Sequence, residues 1–302
     1  MKILLFGADG QLGYELHRAC APLGEILPFT YSGKLAGRQT CGQLDFEKPG
    51  ALDALVREHK PALVLNAVAH TAVDRAEDEP AIAQRVNADA VGELAQACKR
   101  DNAMLVHYST DYVFDGRLRR PIREDDATGP VSVYGKTKLA GEQAILASEC
   151  RHMILRTAWV YAARGQNFLR TALRLARERE EIRIVNDQIG SPTPARWLAG
   201  ATALALARKS DASGTWHVVA DGECSWHEFA MAIYGEALVA GVLAKAPKLI
   251  GIPSQEFPTK AKRPAYSRLD ASRFARDFGM RLPDWRVGLR EVVGEIAESQ
   301  AG

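Results

Sequence analysis

The chain has 302 residues, enough for two domains or for one large domain with an appended lobe. Hydrophobic residues at 47% and charged residues at 25% are those of an ordinary soluble globular protein, and a net charge of +2 excludes a dedicated nucleic-acid binder, which needs a concentrated basic face. No apolar run approaches the ~18 residues of a membrane span, and Ile3 to Phe6 is too short for the apolar region of a signal peptide, so neither is expected.

Lys2 to Phe6 reads as a strand buried on both faces, and it runs directly into Gly7-Ala8-Asp9-Gly10-Gln11-Leu12-Gly13. Leu12, Leu16, Ala19 and Cys20 then recur at helical spacing. Glycines at Gly7, Gly10 and Gly13 let backbone approach a pyrophosphate and let helix pack against strand, while the helix N-terminus offers free N–H groups to phosphate. The spacing differs from the commoner Gly-x-Gly-x-x-Gly, so the reading as a dinucleotide site rests on its place between a first strand and a first helix.

A second strand is expected at Glu25 to Thr30. An NAD site places an acid at this end to take the ribose 2′-hydroxyl. The chain has Thr30-Tyr31-Ser32 instead, followed by Lys34 and Arg38, which favours NADPH over NADH. Asp45 and Phe46, after a short third strand, are placed to flank the adenine. Gly50 to His59 has a helical pattern, and Ala62 to Ala69 is another buried strand ending in His70-Thr71. His70 reads as a structural hydrogen-bonding residue, because no metal-ligand spacing accompanies it. The acidic run Asp74 to Glu79 suits a helix start or a solvated face, with a long helix running on to about Lys99.

This alternation predicts an α/β fold with a parallel, doubly wound, Rossmann-type sheet. Its fifth strand, Ala103 to His107, delivers Ser109, Thr110 and Asp111 to the crevice at the strand ends. The loop Arg117 to Arg123, with four arginines, is expected to be an exposed lid. Met153 to Tyr161 reads as a sixth strand, where Trp159 could face a sugar or pack in the core. A helix at Asn167 to Glu180, a strand at Ile182 to Val185, a Ser191-Pro-Thr-Pro loop and a helix ending near Arg208 follow. Residues 1–162 are assigned to the nucleotide-binding domain, joined by a late strand near 215–220, and 163–302 to a smaller C-terminal substrate-binding lobe. The five scattered cysteines lack Cys-x-x-Cys spacing and suit reduced thiols in the cytoplasm.

Tyr134 and Lys138 stand one helical turn apart, so their side chains share a face. A phenol titrates near ~10, and a neighbouring ammonium is expected to lower that value toward the working range. With the Thr110 hydroxyl at the preceding strand end, these groups suit protonation of a carbonyl oxygen during reduction.

Six segments in order carry a resemblance: the glycine turn, Asn66-Ala-Val-Ala-His-Thr-Ala-Val-Asp74, His107-Tyr-Ser-Thr-Asp-Tyr-Val-Phe114, Tyr134-Gly-Lys-Thr-Lys-Leu-Ala-Gly-Glu142, Arg156-Thr-Ala-Trp-Val-Tyr161 and Gly190-Ser-Pro-Thr193. Together they resemble the dTDP-4-dehydrorhamnose reductases, a family of the extended short-chain dehydrogenase/reductase superfamily. The resemblance implies hydride transfer from NADPH, or NADH, to C4 of dTDP-4-dehydro-6-deoxy-L-mannose, the last step of dTDP-L-rhamnose synthesis. It also implies that Tyr134 donates the proton, Lys138 binds the nicotinamide ribose and tunes the tyrosine, and Thr110 assists. Gly10, Gln11, Leu12, Asp45, Phe46, Ala69, His70, Thr71 and Tyr108 would contact the cofactor, and Thr110, Asp111 and Trp159 the sugar.

Some family members dimerise around a magnesium held by glutamates. The first of those positions is Arg196 here, so no bridging metal is expected, and monomer or homodimer stays open. Two rivals remain: a reductase of another nucleotide-linked 4-keto sugar, and a non-catalytic subunit resembling the β-subunit of methionine adenosyltransferase. Intact Tyr134, Lys138 and Thr110 speak against the second.

Overall fold

The structure is a computed structural model and describes residues 1–35 and 39–301. The chain begins with β1 (Lys2–Phe6), α1 (Gln11–Ala19), β2 (Glu25–Thr30), β3 (Gly42–Gln43), α2 (Ala51–His59) and β4 (Leu63–Asn66). It continues through α3 (Val73–Asp78), α4 (Pro80–Gln84), a π-helical turn at Arg85–Asp89, α5 (Ala90–Arg100), β5 (Met104–Thr110), α6 (Val133–Ser148) and β6 (His152–Thr157). After these come β7 (Val160–Tyr161), α7 (Phe168–Glu178), β8 (Glu181–Val185), β9 (Ile189–Gly190), β10 (Thr193–Pro194), α8 (Ala195–Arg208) and β11 (Gly214–His217). The last elements are β12 (Cys224–Ser225), α9 (Trp226–Val239), β13 (Lys248–Ile252), α10 (Ser272–Phe278) and α11 (Trp285–Ala301).

Seven parallel strands form the main sheet in the order β11-β6-β5-β4-β1-β2-β3. Successive strand residues point to opposite faces, and β1 shows the consequence. Ile3 and Leu5 join a core with α1 and α8, while Leu4 and Phe6 join another with α2 and α5. Both faces are covered, which is why these strands read as continuous apolar runs. The strand order reverses between β1 and β4, and there Phe6 pairs with both Phe29 and Asn66, opening a crevice at the carboxyl ends. This is the doubly wound α/β fold expected from the sequence.

Three boundaries differ from expectation. β4 stops at Asn66, short of Ala69, because the Asn66 side chain takes the Val68 N–H at 3.1 Å and turns the chain out of the ladder. The single long helix expected up to Lys99 is broken at Glu79, where Pro80 disfavours helical backbone in the residue before it. The sixth strand is divided into β6 and β7 because Trp159 adopts left-handed backbone, φ 48°.

A second core gathers α7, α9 and α11 around Leu169, Phe229, Trp285 and Leu289, flanked by the parallel pair β8–β13. α8 and β11 lie within the same stretch of sequence but pack on the main sheet, with Leu198 and Trp216 in the core of β1 and α1. Among the described residues, no helix is long and apolar enough to cross a membrane.

Candidate active site

The glycine turn is built by close approach. Gly7 has φ 78°, and a Cβ on Gly13 would lie 1.9 Å from the Gly7 carbonyl oxygen, so only glycine lets α1 pack this tightly on β1. Gly10 caps α1 with no side-chain hydrogen bond, leaving the first N–H groups of the helix for an anion. Gly7, Gly10, Thr30, Asp45, Phe46 and Ala69 line one cleft of about 280 Å³ beside this turn. Phe46 is held edge-on to Phe6 at 5.8 Å, and Thr30 is buried with its hydroxyl accepting from Lys34 N–H at 3.0 Å. The cleft, the uncapped helix and the absent side chains fit a dinucleotide. Arg38, used above to favour NADPH, lies outside the described residues.

Other expected cofactor residues stand elsewhere. Gln11 ties α1 to the loop before α7, donating to the Gln166 carbonyl and accepting from Asn167, while Leu12 packs into the core. The backbone of His70 is clamped from both sides by Asn87, at 2.8 and 3.1 Å, and Thr71 is exposed in the same loop. Tyr108 departs from expectation. Its hydroxyl is buried against Thr202 of α8 at 3.0 Å, so what it offers the site is its carbonyl.

Ser132 and Glu77 cap α6, accepting from the N–H groups of Gly135 and Val133, and so aim its first turn at the end of β5. Tyr134 is half-buried there, its ring edge-on to Tyr112 at 5.4 Å. Burial holds the Tyr134 phenol above its ordinary value, and a hydrogen bond with the Thr110 hydroxyl works the other way. Lys138 is 1% exposed; its amine donates to the Tyr108 carbonyl at 2.7 Å and lies 3.1 Å from His107 Nε2. Burial pulls it down to about 8, against the attraction of Glu142.

The expectation that Lys138 lowers the phenol is therefore corrected for this state. Both groups are on one helix face, but burial dominates the phenol and the amine is engaged by β5.

Thr110 donates to Asp111 Oδ1 at 3.0 Å and accepts from Tyr112 N–H at 3.2 Å. Burial pushes Asp111 up to about 6, and its Oδ2 is buried without a partner among the described residues. Across the crevice, the Trp159 indole stacks on Trp226, centroids 3.5 Å apart and planes 6° apart, directly over Gly190. The Arg117 to Arg123 loop is closed by ion pairs of Arg120 with Asp126 and Arg123 with Asp270. Arg196 pairs with Glu295 of α11, and no cluster of three or more potential metal ligands occurs among the described residues.

Several contributors were not singled out from the sequence. Trp226, the buried Glu142–Arg156 pair at 2.6 Å and the Asn66–His107 pair stand around the site. The one signal available for Asn66 was a polar residue inside an apolar strand, which must find a buried partner. Arg263, on the segment between β13 and α10, donates to Asp74 at 2.5 Å and to the Tyr112 hydroxyl at 3.2 Å, a link no local pattern announces.

Comparison with known proteins adds to this geometry. Residues 1–298 match the family model described as the RmlD substrate binding domain. The dTDP-4-dehydrorhamnose reductase of Escherichia coli strain K12 is 45% identical over 304 residues, covering 100% of both chains. That of Burkholderia thailandensis is 46% identical, covering 98% of this chain and 99% of the other. The crystal structure of dTDP-4-dehydrorhamnose reductase from Bacillus anthracis in complex with NADP has a TM-score of 0.88 at 33% identity, covering 97% and 99%.

Proposed function

This chain belongs to the dTDP-4-dehydrorhamnose reductase family, and from that premise we propose that Tyr134, Lys138 and Thr110 perform its reduction. The enzyme reduces the C4 ketone of dTDP-4-dehydro-6-deoxy-L-mannose to give dTDP-L-rhamnose. NADPH, when bound, supplies the hydride to the carbonyl carbon. Gly7, Gly10 and the N-terminus of α1 hold its pyrophosphate, and Asp45 and Phe46 flank the adenine end. Lys138 turns a free N–H to the nicotinamide ribose. Tyr134 gives its proton to the carbonyl oxygen as charge develops there, and Thr110 helps bind that oxygen. The unpartnered Asp111 Oδ2 takes a sugar hydroxyl, and the Trp159 indole packs on the sugar from the lobe side.

The observation that carries this reading is the convergence of Tyr134, Thr110 and Lys138 at the end of β5, beside the glycine-turn cleft. Five free cysteines, four of them buried, support a reducing compartment, and we assign the enzyme to the cytoplasm. Steady-state NADPH oxidation with dTDP-, UDP- and GDP-linked 4-keto sugars tests the substrate. The dTDP sugar should give the highest kcat/KM; equal or better turnover of another base would overturn the assignment.

A further inference from the structure

We propose that Asn66 and His107 hold Lys138 as an uncharged amine in the free enzyme, so that binding of NADPH loads the lysine with its proton. The proposal rests on the reading of Lys138 as a cofactor ligand and adds two positioning residues that act through it.

The argument is an inventory of hydrogens. The Val68 N–H can only donate, and its acceptor at 3.1 Å is the side-chain oxygen of Asn66. That sets the Asn66 amide nitrogen 3.1 Å from His107 Nδ1. An amide nitrogen only donates, so Nδ1 must carry the lone pair and Nε2 the hydrogen. A doubly protonated ring would set N–H against N–H, and burial together with the nearby Lys138 already disfavours it.

The Nε2–H then points at Lys138 Nζ, 3.1 Å away. An ammonium has three hydrogens and no lone pair to accept it; an amine has one. The amine keeps two hydrogens, one for the Tyr108 carbonyl at 2.7 Å and one for a cofactor hydroxyl. All three side chains are 0–1% exposed, so the mismatch with an ammonium would be fully buried.

The charged and titratable groups facing the amine are few. His107 comes from β5, Tyr134 stands a turn earlier on α6, and Glu142 a turn later. Glu142 favours the ammonium, but its carboxylate is held by Arg156 of β6 at 2.6 and 2.9 Å. Burial outweighs it and brings the lysine down to about 8. When NADPH binds, its phosphates favour the ammonium: the Nζ lone pair takes a proton from solvent, and Nζ leaves Nε2–H for the ribose.

Calorimetry of NADPH binding in two buffers of different ionisation enthalpy counts that proton. It is done on Tyr134→Phe, so that the phenol cannot release a compensating proton, and at about pH 9, where the cofactor phosphates are fully ionised. Tyr134→Phe should take up close to one proton per NADPH, and Tyr134→Phe/Lys138→Met none. Adding Asn66→Asp lets His107 donate from Nδ1 and accept at Nε2, which suits the ammonium, so uptake should fall at least twofold. In the enzyme with Tyr134 intact, Asn66→Asp should move the alkaline limb of kcat/KM upward by about one pH unit. NADPH bound without uptake, uptake surviving Lys138→Met, or uptake unchanged by Asn66→Asp overturns the proposal. Should Asn66→Asp fail to fold, the comparison of the Tyr134 and Lys138 variants decides alone. No binding of NADPH would overturn the reading of the cofactor site itself, and this proposal with it.

Discussion

Tyr134 and Asp111 are neighbours whose protons are held by the same cause, burial, with different consequences. The phenol keeps its proton until charge appears on the substrate oxygen, so removing it should abolish the acid while leaving the cofactor cleft intact. Tyr134→Phe is expected to lower kcat by about 10²–10⁴-fold with NADPH Kd nearly unchanged, whereas Lys138→Met should impair both. Steady-state kinetics beside a fluorescence titration of NADPH separates the two. Asp111 is raised from 3.8 to about 6, so the folded state binds a proton there more tightly than the unfolded chain. Its charge therefore costs stability as pH rises through that window, by up to ~3 kcal/mol above it. Asp111→Asn should raise Tm at neutral pH, give no gain below about pH 4, and raise KM for the sugar nucleotide. Thermal melts across pH, with KM, check each part.

At the scale of elements, α1 and α6 are the two that set the chemistry, and each is fixed by a contact of a different kind. α1 is set by missing atoms: with Ala at position 13, the new Cβ would meet backbone at Gly7, which has no flexible end to move aside. Overpacking of this sort costs ~1–3 kcal/mol, and because the displaced helix end is the phosphate site, Gly13→Ala should weaken NADPH roughly 10-fold or more. Unchanged Kd in the folded variant would remove α1 from the cofactor site. α6 is set by charge, through the buried Glu142–Arg156 pair that joins it to β6, and by the caps at its first turn.

Across the whole molecule, the nucleotide half and the lobe meet over the crevice. The segment between β13 and α10 reaches back to α3, with Arg263 on Asp74 and Lys260 on Asp78, and Arg263 also touches Tyr112, the ring packed on Tyr134. Arg263→Ala should raise KM for the sugar nucleotide severalfold while leaving NADPH Kd unchanged, because only the lobe side loses its tie. The pair is partly exposed, so the effect on overall stability should stay below ~1 kcal/mol.

The parallel sheet, the glycine turn and the one-turn spacing of Tyr134 and Lys138 were legible because each is written within a few neighbouring residues. Apolar runs mark buried strands, glycine marks close backbone approach, and a four-residue step marks one helix face. The proline at position 80 could have announced the break after Glu79 in the same way. By contrast, the partners of Lys138, the raised phenol of Tyr134 and the Trp159–Trp226 stack depend on residues far apart in sequence. Sequence by itself determined which groups stand near the crevice; only the tertiary structure decided their protonation, since desolvation and donor–acceptor pairing belong to the packed surroundings of an atom and leave no local pattern in the chain.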